Sequence, residues 1–109
     1  PWAKQVYWMY GIVLDESTGL DAIQFAQKLK EKGVDTRPFF LGMHEQPIFQ
    51  TPTLPSPGGR DTGRGMFTGE SYPVAEHIAR QGLYLPSGLT LTETQIDVVC
   101  DKVKSILEN

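Results

Sequence analysis

The sequence predicts an α+β fold, in which a small antiparallel or mixed sheet of about three strands carries packed helices. Three segments have the capping residues or the apolar spacing of helices. Three others are short, rich in β-branched or aromatic residues, and bounded by proline, glycine or polar turns, which favours strands. With 109 residues, the chain can bury one small core, so we expect residues 1–109 to form a single domain.

The first predicted element is a strand at residues 6–14, closed by the polar turn residues 15–19. Its apolar side chains alternate onto both faces, because successive residues of a strand point to opposite sides. One layer of helices covers only one face. We therefore expect the other face to contact another domain or a second subunit, as in a homo-oligomer.

A one-sided helix should follow, capped by Asp21 and ended by Gly33. The second predicted strand is residues 34–37, because Pro38 favours extended geometry before it and lacks the N–H that a sheet needs. Residues 39–49 should be irregular or briefly helical. Residues 51–69 are rich in proline and glycine without periodicity, which indicates a long loop or flexible link.

The sequence after this loop predicts a second helix, with Ser71 as its cap, Pro73 in its first turn and Gly82 as a left-handed stop. A third strand at residues 83–85 should lead into a turn at residues 86–88.

The last predicted element is a terminal helix from Glu93 to Leu107, since Thr92 and Gln95 have capping-box spacing. One apolar face of this helix should dock on the domain, with Cys100 as a small core residue.

Composition excludes several classes of function. A formal net charge of −3 gives no basic field for nucleic acid, and no run of about 20 apolar residues could span a membrane. The first residues lack a signal-peptide pattern, and a lone Cys100 forms no internal disulfide, so a cytoplasmic location fits best. Because the chain starts without Met and runs almost at once into a strand, we expect a fragment of a longer protein.

The best site candidates are the polar residues that follow the second predicted strand. Arg37 offers a planar fork of donors for phosphate or carboxylate, and His44 can hydrogen-bond or transfer protons. The alternatives are a solvated ion-pair partner for Arg37 and a structural role for His44. His44 and His77 have no metal-ligand spacing, so we predict no metal site.

Residues 71–95, SYPVAEHIARQGLYLPSGLTLTETQ, resemble the carboxy-terminal signature of the DegT/DnrJ/EryC1/StrS aminotransferases. The TRPFF and MHEQP segments are similar to the perosamine-synthase-like branch of that family. The resemblance covers residues 1–50 and 69–108. It implies the small domain of a pyridoxal-phosphate (PLP) enzyme that aminates a nucleotide-linked keto-sugar for polysaccharide or cell-envelope sugar biosynthesis.

The resemblance also implies that this domain forms one wall of the active-site cleft, with Arg37, Phe40 and His44 as substrate-binding residues. A large catalytic domain would then be the partner of the strand at residues 6–14. We expect no catalytic or cofactor-binding residue in this chain, because its lysines fall on charged helix faces or in the entry segment. PLP would belong to the full-length parent and not to the isolated chain. The alternative is a free-standing, non-catalytic ligand-binding or dimerisation module.

Overall fold

The computed structural model describes residues 2–50 and 69–108, and these residues form an α+β fold as predicted. The strands and helices follow in chain order as β1 (Tyr10–Val13), α1 (Ala22–Glu31), β2 (Arg37–Pro38), α2 (Pro47–Gln50), α3 (Pro73–Gln81), β3 (Gly82–Leu85) and α4 (Glu93–Leu107). Two single-turn 3-10 helices lie at Glu16–Thr18 and Met43–Glu45. The loop predicted at residues 51–69 lies, except for Gly69, outside the described residues.

The three described strands form one antiparallel sheet in the order β1-β3-β2. The central strand β3 pairs with β1 from Tyr10↔Leu85 to Val13↔Gly82, and with β2 at Arg37↔Tyr84 and Pro38↔Leu83. Both outer strands are therefore aligned on the same four central residues. This register places Arg37 directly opposite Tyr84.

Strand β1 is shorter than predicted, because it spans Tyr10–Val13 instead of residues 6–14. Its only partner in the described part of the chain is β3, which has four residues, so no described strand pairs with the residues before Tyr10. Tyr7 adopts a left-handed backbone with φ 53°, which interrupts the extended run. The predicted alternation therefore holds only within the paired residues.

The second strand is also displaced, from residues 34–37 to Arg37–Pro38. Val34 is buried in the core instead of pairing in the sheet. Pro38 is tolerated because β2 pairs only with β3, so the missing N–H of proline can lie on the open edge. Residues 39–49 are irregular or briefly helical, as expected, and the chain is helical at Met43–Glu45 and Pro47–Gln50.

Helix α1 begins and ends where the sequence predicts. The Asp21 carboxylate accepts from the Gln24 N–H at 2.8 Å, and the Gln24 side chain accepts from the Asp21 N–H at 3.1 Å, which completes a capping box. Gly33 follows the helix with φ 82°, the left-handed conformation that glycine adopts without strain. The helix turns the fully buried Phe25 and Leu29 toward the sheet.

The core lies between one face of the sheet and the helices α1 and α4. Its buried apolar residues are Leu14, Ala22, Phe25, Leu29, Val34, Leu83 and Ile106. On α4, which begins after the predicted Thr92–Gln95 capping box, the core contacts come from Val99, Val103 and Ile106. Cys100 is exposed, so its predicted core role is wrong. Successive residues of an α-helix are rotated by about 100°, since there are about 3.6 residues per turn. Cys100 therefore points away from the direction of Val99, which contacts the core.

Helix α3 corrects two predicted caps. Its cap is Tyr72 and not Ser71, whose hydroxyl instead donates to Glu76 Oε1 at 3.2 Å. Gly82 has φ −102° and ψ 145°, so it is extended and not left-handed. The helix passes directly into β3, which leaves no residue for a left-handed stop. Pro73 in the first turn is confirmed.

The turn after β3 lies later than predicted. Residues 86–88 contain no turn, and the chain reverses where the Leu91 N–H donates to the Gly88 carbonyl at 3.2 Å. No helix within the described ranges is long and apolar enough to cross a bilayer.

Candidate functional site

The candidate site lies on the sheet face opposite the core. Paired residues of an antiparallel sheet share a face, so Gly11, Tyr84 and Arg37 lie side by side there. Arg37 is exposed and forms no ion pair with any described residue. Within residues 2–50 and 69–108, no acidic side chain therefore occupies its guanidinium donors, which are suited to an anionic ligand.

Phe39 covers the middle of this face. A Cβ atom at Gly11 would lie 2.7 Å from the Phe39 ring, and one at Gly82 would lie 2.4 Å from it. The ring centroid is 4.4 Å from that of Tyr84. Two glycines on neighbouring strands therefore make the space into which this ring packs.

Phe40 takes the opposite role and presents its ring to solvent. Its side chain is 81% exposed, and its ring centroid lies 6.5 Å from Tyr84 at an interplanar angle of 60°. Phe40 and Arg37 thus both lie beside Tyr84, and an exposed ring and an exposed guanidinium are suited to a ligand that has both a flat or apolar surface and a negative charge.

His44, the third predicted site residue, is buried, with only 6% of its surface exposed. Its Nε2 lies 3.2 Å from Glu76 Oε1, and its ring centroid lies 4.7 Å from the Tyr72 ring. The Gln50 side chain donates to the His44 carbonyl. The structure thus places Arg37 and Phe40 on the open face and His44 inside the contact between the 3-10 turn and α3.

The Glu76 carboxylate is the centre of that contact. Its Oε1 accepts from the Tyr72 N–H at 2.8 Å and from the Ser71 hydroxyl, and it faces His44 Nε2. The hydrogen bond from the Tyr72 backbone is the main cause of a Glu76 pKa below its usual range. Since a carboxylate only accepts, His44 Nε2 carries the proton of this bond.

A second pair runs parallel to the first. Arg80 Nη2 donates to Glu45 Oε1 at 2.5 Å, and the second Glu45 oxygen is buried without a hydrogen-bond partner among the described residues. His44 and Glu45 are adjacent in sequence, while Glu76 and Arg80 are one helical turn apart. None of Glu45, Glu76 and Arg80 was predicted from the sequence. Their only sequence signal is the i,i+4 spacing of the last two.

A second polar group lies where β1 runs into α1. His77 Nδ1 is 3.4 Å from Glu16 Oε1, and both side chains border an open depression of about 390 Å³ together with Val13, Leu14 and Asp15. Hydrogen bonds from the Ser17 hydroxyl and then from the Ser17 N–H lower the pKa of the Asp15 carboxyl. No group of three or more His, Cys, Asp or Glu residues that could hold a metal occurs in the described parts of the chain.

The lysines offer no buried amine. Lys102 is half-buried and the other five are exposed, so none has the desolvated setting that favours a neutral, nucleophilic amine. The five are Lys4, Lys28, Lys30, Lys32 and Lys104. The residues of this chain therefore do not fit the covalent attachment of an aldehyde cofactor.

Comparisons with known proteins identify the family of this chain. The model of the DegT/DnrJ/EryC1/StrS aminotransferase family matches residues 1–104. A putative pyridoxal phosphate-dependent aminotransferase, EpsN of Bacillus subtilis, is 31% identical over 88 residues, which are 81% of this chain and 19% of the relative. GDP-perosamine synthase of Caulobacter vibrioides is 27% identical over 95% of this chain and 24% of the relative.

A GDP-perosamine synthase of Escherichia coli O157:H7 is 24% identical over 89% of this chain and 22% of that protein. The chain thus spans about a fifth to a quarter of the length of these relatives. Its family and its relatives indicate a sugar aminotransferase-like domain. The chain belongs to the DegT/DnrJ/EryC1/StrS aminotransferase family.

Proposed function

We propose that this chain is the carboxy-terminal small domain of a PLP-dependent aminotransferase that aminates a nucleotide-linked keto-sugar. In this proposal the sheet face that carries Arg37 and Phe40 forms one wall of the active-site cleft. The observation that carries the proposal is that the Phe40 ring and Arg37, which forms no ion pair with any described residue, are both exposed beside Tyr84. The names of the relatives, which include two GDP-perosamine synthases, support the substrate class.

The chemistry of a nucleotide-linked sugar matches these two side chains. Its diphosphate is anionic, and a guanidinium binds phosphate oxygens through two parallel N–H donors. The base and the sugar ring each have a flat or apolar surface that can pack on the Phe40 ring. His44, which is buried against Glu76, serves this site by orienting the segment that precedes it.

PLP belongs, in this proposal, to another part of a longer protein, because the exposed and half-buried lysines of this chain do not fit it. When bound, PLP would carry the amino group from an amino-acid donor to the keto-sugar. The contribution of the present chain is to bind and orient the sugar nucleotide and to exclude water from one side of it.

The partner that we propose is the large catalytic domain, docked on the segment that precedes and includes β1. This segment exposes five large apolar or aromatic side chains, which are 65–100% exposed: Trp2, Val6, Tyr7, Trp8 and Tyr10. Such a run is typical of a surface that another domain or subunit covers. The chain spans only 19% and 24% of the length of two relatives, so a longer protein of their size would have enough residues for that domain. We extend the proposal to a homo-oligomer in the cytoplasm.

The complete protein from its native source tests the function. We expect a mass well above 12.2 kDa, the absorbance of a PLP aldimine, and amination of a nucleotide-linked 4-keto-sugar. A protein of 12.2 kDa that has neither the absorbance nor the activity would contradict the proposal and favour the alternative, a non-catalytic binding or dimerisation module.

A further inference from the structure

We propose that Glu76 is a positioning residue, which acts through His44 to hold the exposed residues 40–42 in a fixed conformation. Only the expected effect of Glu76 on substrate binding rests on the proposed function. The hydrogen bonds and the packing that carry it lie within the described residues.

The first hold on this segment is Phe39. Its N–H donates to the Gly82 carbonyl at 3.4 Å, and its ring fills the space above Gly11 and Gly82. The chain is therefore tied to the central strand immediately before residue 40. Both contacts are made with residues of β1 and β3.

The second hold is the pair of contacts that joins the Met43–Glu45 turn to α3. His44 meets Glu76 at 3.2 Å, and Glu45 meets Arg80 at 2.5 Å. The His44 ring packs so closely on Gly42 that a Cβ atom there would lie 2.5 Å from it. The position of the imidazole therefore determines the path of the backbone just before it.

Residues 40–42 bridge these two holds. Phe40 is 81% exposed and Leu41 is 51% exposed. Gln46 Nε2 donates to the Leu41 carbonyl at 3.3 Å, and the Glu45 N–H donates to the Gly42 carbonyl at 3.0 Å. A three-residue bridge fixed at both ends keeps its side chains at the surface without burying them. If either end is released, the Phe40 ring loses its orientation.

Replacing Glu76 is the most direct way to break the contact that fixes the second end of residues 40–42. It accepts from the Tyr72 N–H and the Ser71 hydroxyl of its own helix start, and it faces His44 across the contact. It thus links the beginning of α3 to the bridge. Preorganisation of Phe40 in this way lowers the entropy that a ligand loses when it packs on the ring, which increases affinity.

Amide hydrogen exchange in the full chain tests the hold directly. The Glu45 and Gln46 amides donate to the carbonyls of Gly42 and Met43 at 3.0 and 3.2 Å, so they report on the second hold. The Phe39 amide reports on the first. In Glu76→Ala we expect the two turn amides to exchange about tenfold faster, while Phe39 changes by less than about twofold.

Two further variants make the result specific. Glu76→Gln keeps an acceptor oxygen for Tyr72 and His44, so it should restore most of the protection, and it decides the question if Glu76→Ala does not fold. Glu93→Ala is the matched control, because Glu93 also lies in the first turn of a helix and has no described side-chain partner. It should leave all three amides unaffected. Unchanged turn amides in Glu76→Ala, or equal acceleration at Phe39, would overturn the inference.

Kinetics of the complete enzyme test the consequence. Glu76→Ala should raise KM for the nucleotide sugar several-fold and leave kcat nearly unaltered, because it removes uniform binding. Faster exchange with an unaltered KM would overturn the role in substrate binding. A wild-type enzyme that aminates no nucleotide-linked sugar would contradict the proposed function, whereas the exchange result would still decide the role of Glu76.

Discussion

His44 and Glu76 come from opposite sides of residues 51–68 in the sequence, and their side chains meet with 3.2 Å between Nε2 and Oε1. The Glu45–Arg80 pair repeats this arrangement one residue and one helical turn further on. The two contacts join the segment that follows β2 to the helix that leads into β3. Strand β3 is therefore connected to the segment after β2 both by the sheet and by these two side-chain contacts.

Gly82 is the position where a single added methyl group should cost most. A Cβ atom there would lie 2.4 Å from the Ile78 carbonyl and 2.4 Å from the Phe39 ring. We expect Gly82→Ala to lower the free energy of unfolding by about 2–3 kcal/mol, since backbone and ring must both move. Urea denaturation of wild type and Gly82→Ala measures this difference in the free energy of unfolding.

The matched control for that substitution is Gly88→Ala. Gly88 has no atom within 4 Å of an added Cβ, and its backbone φ is not positive. It should change the free energy of unfolding by less than about 0.5 kcal/mol. Equal effects of the two substitutions would contradict the packing described for Phe39.

Leu29 tests the position of the core. Its side chain is fully buried between α1 and the sheet, so Leu29→Ala should lower the free energy of unfolding by about 2–5 kcal/mol. Leu89, which is fully exposed, provides a control of the same residue type. Leu89→Ala should have almost no effect in the same denaturation experiment. A small loss from Leu29→Ala would mean that α1 does not pack as described.

The Glu76 contact predicts a pH dependence of stability. The pKa of Glu76 in the folded chain is below its ordinary value of 4.5, chiefly because the Tyr72 N–H donates to it, so the folded state favours the carboxylate. Its stabilising contribution is therefore complete above about pH 4.5 and is lost as pH falls through the lower folded pKa. The groups that face it are the Tyr72 N–H, the Ser71 hydroxyl and His44.

Thermal melts of wild type and Glu76→Gln between pH 7 and pH 3 measure this contribution. The wild type should be the more stable at neutral pH, and the difference should shrink as pH falls below 4.5. Asp15 also has a lowered pKa, but it is present in both proteins, so it cancels from the difference. A difference that is independent of pH would contradict the role of the carboxylate.

Some features that depend on neighbouring residues alone were predicted correctly from the sequence, although the Ser71 cap and the turn at residues 86–88 were not. The caps of α1 and α4 are examples, because Asp21 with Gln24 and Thr92 with Gln95 complete their hydrogen bonds within one helical turn. Gly33 is another, since its left-handed backbone follows directly from the helix end. These predictions required no knowledge of the rest of the chain.

Features that depend on distant residues were not predicted. The length of β1 is set by the four residues of β3, and the extended backbone of Gly82 is set by the direct passage of α3 into that strand. The burial of His44 depends on Glu76, which is 32 residues away and separated from it by the long segment 51–68. Periodicity and capping patterns carry no information about such pairs.

The central proposal is that this domain contacts a nucleotide-linked sugar through Arg37. The most direct measurement is KM for the sugar nucleotide in the complete enzyme, compared among wild type, Arg37→Ala and Arg37→Lys. We expect KM to rise about tenfold or more in Arg37→Ala with little change in kcat, and less in Arg37→Lys, which keeps the charge without the planar fork. Unaltered kinetics in Arg37→Ala would contradict the assignment of this sheet face to the substrate.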